Sequence, residues 1–286
     1  MRTYLDCYPC FLRQALDAAR LAEADEGQQK AVFDHVLDLL KRIEPSSPPP
    51  KIGDQVHRIV RQVVSNGDPY RAIKQASTRQ AIEYYPRMKA LLAEADDPLE
   101  AAVRLSIAGN IIDAGTNREY DLEATVERVL AQPFAIDDGG AFREMLSRVD
   151  RVLYLGDNAG ETVFDRVLIE TLDMPVVYAV KGGPTLNDAT REDAIAAGID
   201  QVAEIVDTGV DAPGTILDRV YEHACSDEFR RIYDEAALIV AKGQANYETL
   251  SEEGPRVFFL LQIKCPIIAR DVGVPAGSIV LKQGRA

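Results

Sequence analysis

The chain has 286 residues, with 32 Lys+Arg against 46 Asp+Glu for a net charge of −14, and 47% of its residues are hydrophobic. That composition excludes a predominantly disordered chain, and the acidic balance excludes a general nucleic-acid binder or an anionic-membrane surface, which need clustered Lys and Arg. It leaves room for a small anionic substrate, because a bound divalent cation inverts the local field.

No apolar run reaches the roughly 18 residues of a membrane span, and residues 1–7 carry no apolar signal region. Four Cys are too few for a disulfide scaffold. The reading is a cytoplasmic protein with reduced thiols. In chain order, residues 1–148 predict helix after helix. Apolar residues recur at near-helical spacing over 4–24 (Leu5, Leu12, Ala15, Leu16, Ala19) and over 31–43 (Val32, Val36, Leu39, Leu40, Ile43). The run Pro45-Ser46-Ser47-Pro48-Pro49-Pro50 reads as a loop between helices, since the period resumes at Val56, Ile59, Val60 and Val63. Further helices are expected at 70–95, 98–113, 121–131 and 139–148.

From residue 151 the pattern alternates. Short β-branched runs lie at 151–155, 175–180, 201–206, 237–241, 256–263 and 278–282, with helical stretches at 161–172, 190–197 and 213–233. Such alternation implies βαβ units and a mostly parallel sheet covered on both faces. The expected fold class is α/β: a helical N-terminal portion (1–148) packed on a mostly parallel α/β/α sandwich (149–286).

Ligands of an open parallel sheet bind outside the carboxyl ends of its strands. The first run is followed by Gly156-Asp157-Asn158-Ala159-Gly160-Glu161 and the second by Lys181-Gly182-Gly183-Pro184 and Asn187-Asp188-Ala189-Thr190. The third is followed by Asp207-Thr208-Gly209 and Gly214, the fourth by Lys242-Gly243-Gln244-Ala245-Asn246, and the fifth by Lys264-Cys265. Asn158 with Glu161 three residues on also reads as a capping box, and Asn187 or Asp188 as a helix cap before Thr190. Capping needs one acceptor, however, and each loop offers an acid–amide pair. Two such pairs supply hard oxygen ligands for Mg²⁺ or Mn²⁺, with Ni²⁺ or Co²⁺ as less usual occupants. Lys242 beside Gly243 suits a phosphate as a point charge, or it is a solvated turn lysine. Gly209 with its neighbours offers an N–H cradle for anions. His35, His57 and His223 fall in predicted helices far apart and read as surface or helix-end residues, so a Ser–His or Cys–His mechanism has little support. No dinucleotide fingerprint, Walker loop or Gly-x-Ser-x-Gly elbow is present.

Taken together, the 156–161, 181–190 and 241–248 segments resemble the DUF89 family, the metal-dependent damage-control phosphatases. Asp6-Cys7-Tyr8-Pro9-Cys10 and Lys264-Cys265 resemble its prokaryotic subfamily, which carries a C-x-x-C and a Lys-Cys pair. Gly109-Asn110-Ile111-Ile112-Asp113 resembles the family's helical Gly-Asn-x-x-Asp motif. The resemblance runs from residue 6 to about 282. It implies that Asp157, Asn158 and Asp188 hold the metal, that Lys242 binds the phosphoryl group, and that Asn110 and Asp113 reach the same cleft. Eukaryotic members have Lys-Gly-Asp-Leu-Asn-Tyr where this chain has Lys-Gly-Gln-Ala-Asn-Tyr, so Gln244 departs from that pattern.

The expected activity is hydrolysis of small phosphomonoesters, sugar phosphates or damaged phosphometabolites, with Lys242, Gly243 and Gly209 at the phosphate and Asn110, Asp113, Glu161 and Asn187 in the cleft. Asp157 and Asp113 are both candidates for general base. A metal- or phosphate-binding or redox-sensing module without turnover and an S-adenosylmethionine-dependent transferase are the rival readings. Cys7, Cys10 and Cys265 read as packed thiols, a redox pair or a soft-metal half-site. They are expected to stabilise the fold rather than to act as the nucleophile.

Overall fold

The computed structural model describes residues 1–110 and 122–285. Asp113 and its neighbours at 111–121 lie outside the described residues. Three helices open the chain: α1 (Cys7–Leu21), α2 (Glu26–Leu40) and α3 (Pro49–Val64). The Asp25 side chain accepts from Gln28 N–H while Gln28 Oε1 accepts from Asp25 N–H, which fixes the start of α2. Pro49 sits in the first turn of α3, where its missing N–H costs nothing, so the proline run is loop only as far as Pro48. Ala15, Ala18 and Ala19 of α1 let it close on Val32, Val36, Ile52, Val56 and Val60, giving this bundle a core of its own.

The remaining helices of the N-terminal half are α4 (Arg71–Ala93), α5 (Pro98–Gly109), α6 (Leu122–Ala131) and α7 (Gly139–Leu146). They pack against one face of the sheet, together with α8 (Thr162–Leu172) and α9 (Arg191–Ala196). The helices α10 (Asp227–Glu235), α11 (Gly243–Leu250) and α12 (Pro266–Val272) cover the opposite face. Among the described residues no helix is long and apolar enough to cross a membrane.

Seven strands form the sheet among the described residues: β1 (Phe134–Asp137), β2 (Val152–Leu155), β3 (Val176–Val180), β4 (Glu204–Asp207), β5 (Ile239–Lys242), β6 (Val257–Gln262) and β7 (Ile279–Gln283). Their order is β1-β7-β6-β5-β2-β3-β4, parallel except for the β6–β7 pair. Every residue of β2, β3, β5 and β6 is buried, as a parallel sheet covered on both faces requires. Successive residues serve opposite cores: Tyr154, Tyr178 and Val240 face α5 and α8, while Leu155, Ala179 and Ala241 face α10 to α12.

Two differences from the sequence expectation stand out. Residues 134–137, placed in the helical portion, form an edge strand parallel to β7, with Phe134 opposite Ile279. The helix expected over 213–233 forms only as Asp227–Glu235, capped by Ser226, whose side chain accepts from Phe229 N–H. Upstream, Gly214 takes φ +69°, and Cys225 N–H bonds Ile216 O at 2.8 Å, so the segment is an irregular loop. The 98–113 expectation is met by α5 to Gly109, beyond which the described residues end at Asn110.

Candidate active site

Strand order reverses between β2 and β5, each a parallel neighbour of the other, and in such a sheet the carboxyl ends at this switch point are where a ligand crevice is formed. Asp157 follows β2 and Gly243 follows β5. Gly243 has φ +76°, and a Cβ there would run into the Asp157 carboxylate, so only glycine lets that carboxylate rest on the first residue of α11. From the next strand exit, Ala189 N–H donates to Asp157 O at 2.7 Å, and Ala159 N–H donates to Asn187 O at 2.9 Å. These two bonds lace the β2 and β3 exit loops together and bring Asn158 opposite Asp188. Arg61 of α3 donates to Pro184 O at 3.1 Å and steadies the same loop from the bundle side.

Asn110 reaches the crevice from the end of α5. A Cβ on Gly109 would lie 2.8 Å from Phe164 Cβ, so glycine there permits the close approach of α5 to α8. Asn110 Nδ2 then donates to Asp157 Oδ2 and to Glu161 Oε2, both at 2.9 Å. Asn158 Nδ2 donates to the same two oxygens at 3.1 and 3.0 Å. Two carboxamides thus clasp two carboxylates. Neither helix-cap reading survives this geometry. Asn158 is spent on the carboxylates and α8 starts at Glu161 without a side-chain cap, while Thr190 N–H and Oγ1 bond Asp193 Oδ2 at the head of α9.

Beneath lies a dry network. Lys242 Nζ donates to Ser106 O at 2.9 Å, to Asp165 Oδ1 at 2.8 Å and to Glu161 Oε1. Asp165 also accepts from Tyr154 at 2.7 Å, Tyr178 at 2.8 Å and Ser106 at 3.0 Å. Burial opposes charge on Lys242, but Asp165 and Glu161 outweigh it and hold the ammonium above its ordinary range. Expected at a phosphate, the Lys242 ammonium is here committed to this network. Its three donors are all used inside the protein, and it is 0% exposed, like Glu161 and Asp165, against 8% for Asp157 and Asn158 and 4% for Asp188. Glu161, expected in the cleft, is likewise sealed beneath it. Gly209 offers no anion cradle, because its N–H donates to Asp207 Oδ1 at 3.0 Å. Asn187 contributes its carbonyl to the loop lacing.

Residues 3–280 match the model of the damage-control phosphatase ARMT1-like domain. The chain belongs to that family. It is 34% identical to a damage-control phosphatase of Pyrococcus horikoshii, over 100% of this chain and 99% of that one. It is equally 34% identical to a damage-control phosphatase of Archaeoglobus fulgidus (96% and 97% covered), and 36% identical to an uncharacterized protein of Methanocaldococcus jannaschii (96% and 93% covered). The crystal structure of a DUF89 family protein from Pyrococcus horikoshii superposes with a TM-score of 0.90 at 32% identity, covering 100% of both chains. The fold is thus that of a DUF89 family protein, and the family includes phosphatases.

Within this damage-control phosphatase fold, the donor set at the crevice suits a hard divalent cation. Among the described residues no three His, Cys, Asp or Glu side chains converge on one point; the oxygens gathered here belong to the Asp157 and Asp188 carboxylates and the Asn158 and Asn110 carboxamides, hard donors of the kind Mg²⁺ and Mn²⁺ take. Two of these buried oxygens, Asp188 Oδ2 and Asn110 Oδ1, have no hydrogen-bond donor among the described residues. Lys181 Nζ stands 3.7 Å from Asp188 Oδ2, an ion-pair separation, and donates to Gly214 O at 2.7 Å. Burial, together with Asp188 and Glu161 nearby, pushes the Asp157 carboxyl well above the usual range. Burial chiefly, against the pull of Lys181 and Lys74, raises Asp188 to about 6. Burial and mutual repulsion thus disfavour full ionisation of the Asp157 and Asp188 carboxyls, and a bound divalent cation would favour it.

Several contributors were not singled out from sequence. Lys181 was quoted only as part of a loop, and Asp165 lies four residues after Glu161 on the buried face of α8, which was the available signal. Asn246, fully buried, binds Lys242 O at 2.8 Å and receives Thr215 Oγ1 at 2.9 Å, tying the β5 exit to the 208–226 segment. Gln244 Oε1 accepts the N–H groups of Lys264 and Cys265 at 2.8 and 3.1 Å, so the departure from the eukaryotic pattern serves the β6 exit. Cys7 opens α1 and Cys265 precedes α12, and all the cysteines are free. Burial raises the Cys7 and Cys10 thiols, and a thiolate at Cys265 would raise both further, so both are held protonated. His57, read as a surface or helix-end residue, is buried. Burial first, then Arg61, lowers it to about 3, which leaves it neutral.

Proposed function

We propose that this chain is a divalent-metal-dependent phosphatase that hydrolyses small phosphomonoesters, sugar phosphates or damaged phosphometabolites. The observation that carries the reading is the crevice at the β2/β5 switch point. There two buried oxygens, on Asp188 and Asn110, lack donors among the described residues, beside carboxylates whose ionised forms burial disfavours. Asp157, Asp188 and the Asn158 carboxamide would hold Mg²⁺ or Mn²⁺. When bound, such a cation polarises a phosphoryl oxygen and acidifies a water molecule.

The protein's own groups do the rest. Asn110 and Asn158 fix the Asp157 carboxylate by bonding one oxygen, and Gly243 gives it room. Lys181, 3% exposed and with one donor used on Gly214 O, brings positive charge to the edge where a phosphoryl oxygen would sit. Lys242 acts from below as a positioning residue. It neutralises Glu161 and Asp165 and so holds the floor to which the two carboxamides are anchored. The names of the family's phosphatases support the reaction class.

The test is phosphate release from a panel of sugar phosphates by chelator-stripped protein, before and after Mg²⁺ or Mn²⁺ is restored. Release that needs the added metal is expected. Release unaffected by the chelator, or none with any metal, would sink the proposal.

A further inference from the structure

Beside Asp188 lies a cleft of about 620 Å³ between α4, the loop joining β3 to α9, and the end of β4. That volume accommodates a whole small metabolite. Lys181, the neighbour of Asp188, is on its floor, and so are Lys74 and Thr78. A phosphoryl group held at Asp188 would therefore point its leaving group into this space. No aromatic side chain lines the cleft among the described residues, and charged residues ring it, their aliphatic stems and the apolar neighbours giving more apolar than polar surface.

Among the described residues, the charges on the walls leave one cation without a carboxylate partner. Asp68 and Asp193 lie 3.0 and 3.1 Å from Lys74 Nζ, Glu192 pairs with Arg71 at 3.4 Å, and Asp207 pairs with Arg191 at 3.3 Å. Lys181 faces Asp188. Arg79, one helical turn beyond Gln75 on the cleft face of α4, has no carboxylate partner among the described residues. In a chain of net charge −14, this guanidinium stands at a cleft wall with its fork free.

We infer that the substrate's leaving group lies in this cleft and carries a second anionic group, received by Arg79. The substrate class is then a hydrophilic phosphomonoester with a further carboxylate or phosphate, such as a phosphorylated sugar acid or a sugar bisphosphate. This rests on the phosphatase reading given above. The fork of Arg79 matches either anion in two parallel hydrogen bonds, while hydroxyl groups along the leaving group meet the Gln75 and Thr78 side chains.

The experiment compares two matched pairs: 3-phosphoglycerate with glycerol 3-phosphate, and fructose 1,6-bisphosphate with fructose 6-phosphate. The first pair isolates an added carboxylate and the second an added phosphate. Each is measured by kcat/KM with the metal-loaded enzyme and, independently, by calorimetric Kd. The parent should favour the doubly anionic member of at least one pair by about tenfold or more, the size of one charge-assisted hydrogen bond. Arg79→Ala should bring that ratio to about one, and Arg79→Lys should restore it in part. A melting curve of each variant checks the fold. If no phosphate is released but the Kd ratio behaves as stated, the phosphatase reading fails and the anion site stands. Equal Kd values within both pairs, or a ratio that Arg79→Ala leaves intact, overturns the inference.

Discussion

The Lys242–Glu161–Asp165 cluster and the Asp157–Asn158–Asp188 cluster adjoin through the same two carboxamide hydrogen-bond bridges, yet their polar atoms are satisfied differently. In the lower cluster every lysine donor and every carboxylate oxygen has a partner, from Ser106, Tyr154, Tyr178, Asn110 or Asn158. In the upper one, Asp188 Oδ2 is buried without a hydrogen-bond donor among the described residues, as is Oδ1 of Asn110, which bonds Asp157. A satisfied buried network specifies shape, and an unsatisfied one costs free energy unless something else completes it. On the proposed reading the difference separates scaffold from site and gives the two lysines different parts. Lys242 belongs to the scaffold, and Lys181 faces the cleft.

The largest effect that would sharpen this contrast is loss of an upper carboxylate. Asp157→Ala and Asp188→Ala should each lower kcat/KM by about 1,000-fold, equivalent to roughly 4 kcal/mol of metal-assisted stabilisation. Melting temperatures should shift little, because Lys181 keeps its bond to Gly214 O and Glu161 still accepts from both carboxamides. Near-parental turnover in either variant would erase the distinction. Lys242→Ala should do the reverse. Breaking a buried pair leaves Glu161 and Asp165 uncompensated and costs about 3–5 kcal/mol of stability, to be read from urea unfolding. If stability is unchanged and only activity falls, Lys242 works in the cleft and the contrast is wrong.

A smaller effect is expected from Gly243→Ala, which adds a methyl against the Asp157 carboxylate and strains a residue at φ +76°. Displaced by that methyl, the ligand should bind Mn²⁺ about 10–100-fold more weakly, the range seen when a ligand's support is disturbed. Unaltered Mn²⁺ affinity would mean that Asp157 is not held by this contact. The mildest test is pH. Asp188 titrates at about 6, raised from its ordinary value, and a protonated carboxyl is a poor ligand. Metal affinity should therefore fall as the pH drops through 6, by up to about tenfold per unit from this group, with the raised Asp157 carboxyl adding to the loss. A flat profile between pH 7 and 5 would remove Asp188 from the ligand set.

Much of the upper cluster was legible in the sequence, because acid–amide pairs directly after β-branched runs have no capping purpose. Asp157, Asn158 and Asp188 stood out for that reason, and the structure brings them together. The lower cluster was hidden, since Asp165 looks like any acid in the first turn of a helix, and Tyr154 and Tyr178 look like strand residues filling a core. Lys242 misled because a lysine beside glycine at a strand exit resembles a ligand-facing residue. It is still the last residue of a strand buried throughout, and it points into the network below. The edge strand Phe134–Asp137 was too short to display its period, and Gly214 broke the helix expected from residue 213.

The most direct measurement is a calorimetric titration of Mn²⁺ into chelator-stripped protein, run in parallel on the parent and on the Asp157→Ala/Asp188→Ala double variant. One equivalent should bind the parent, and that binding should vanish in the double variant while its circular dichroism stays parental. Equal stoichiometry and affinity in the two proteins would show that the crevice at the β2/β5 exits does not hold the metal.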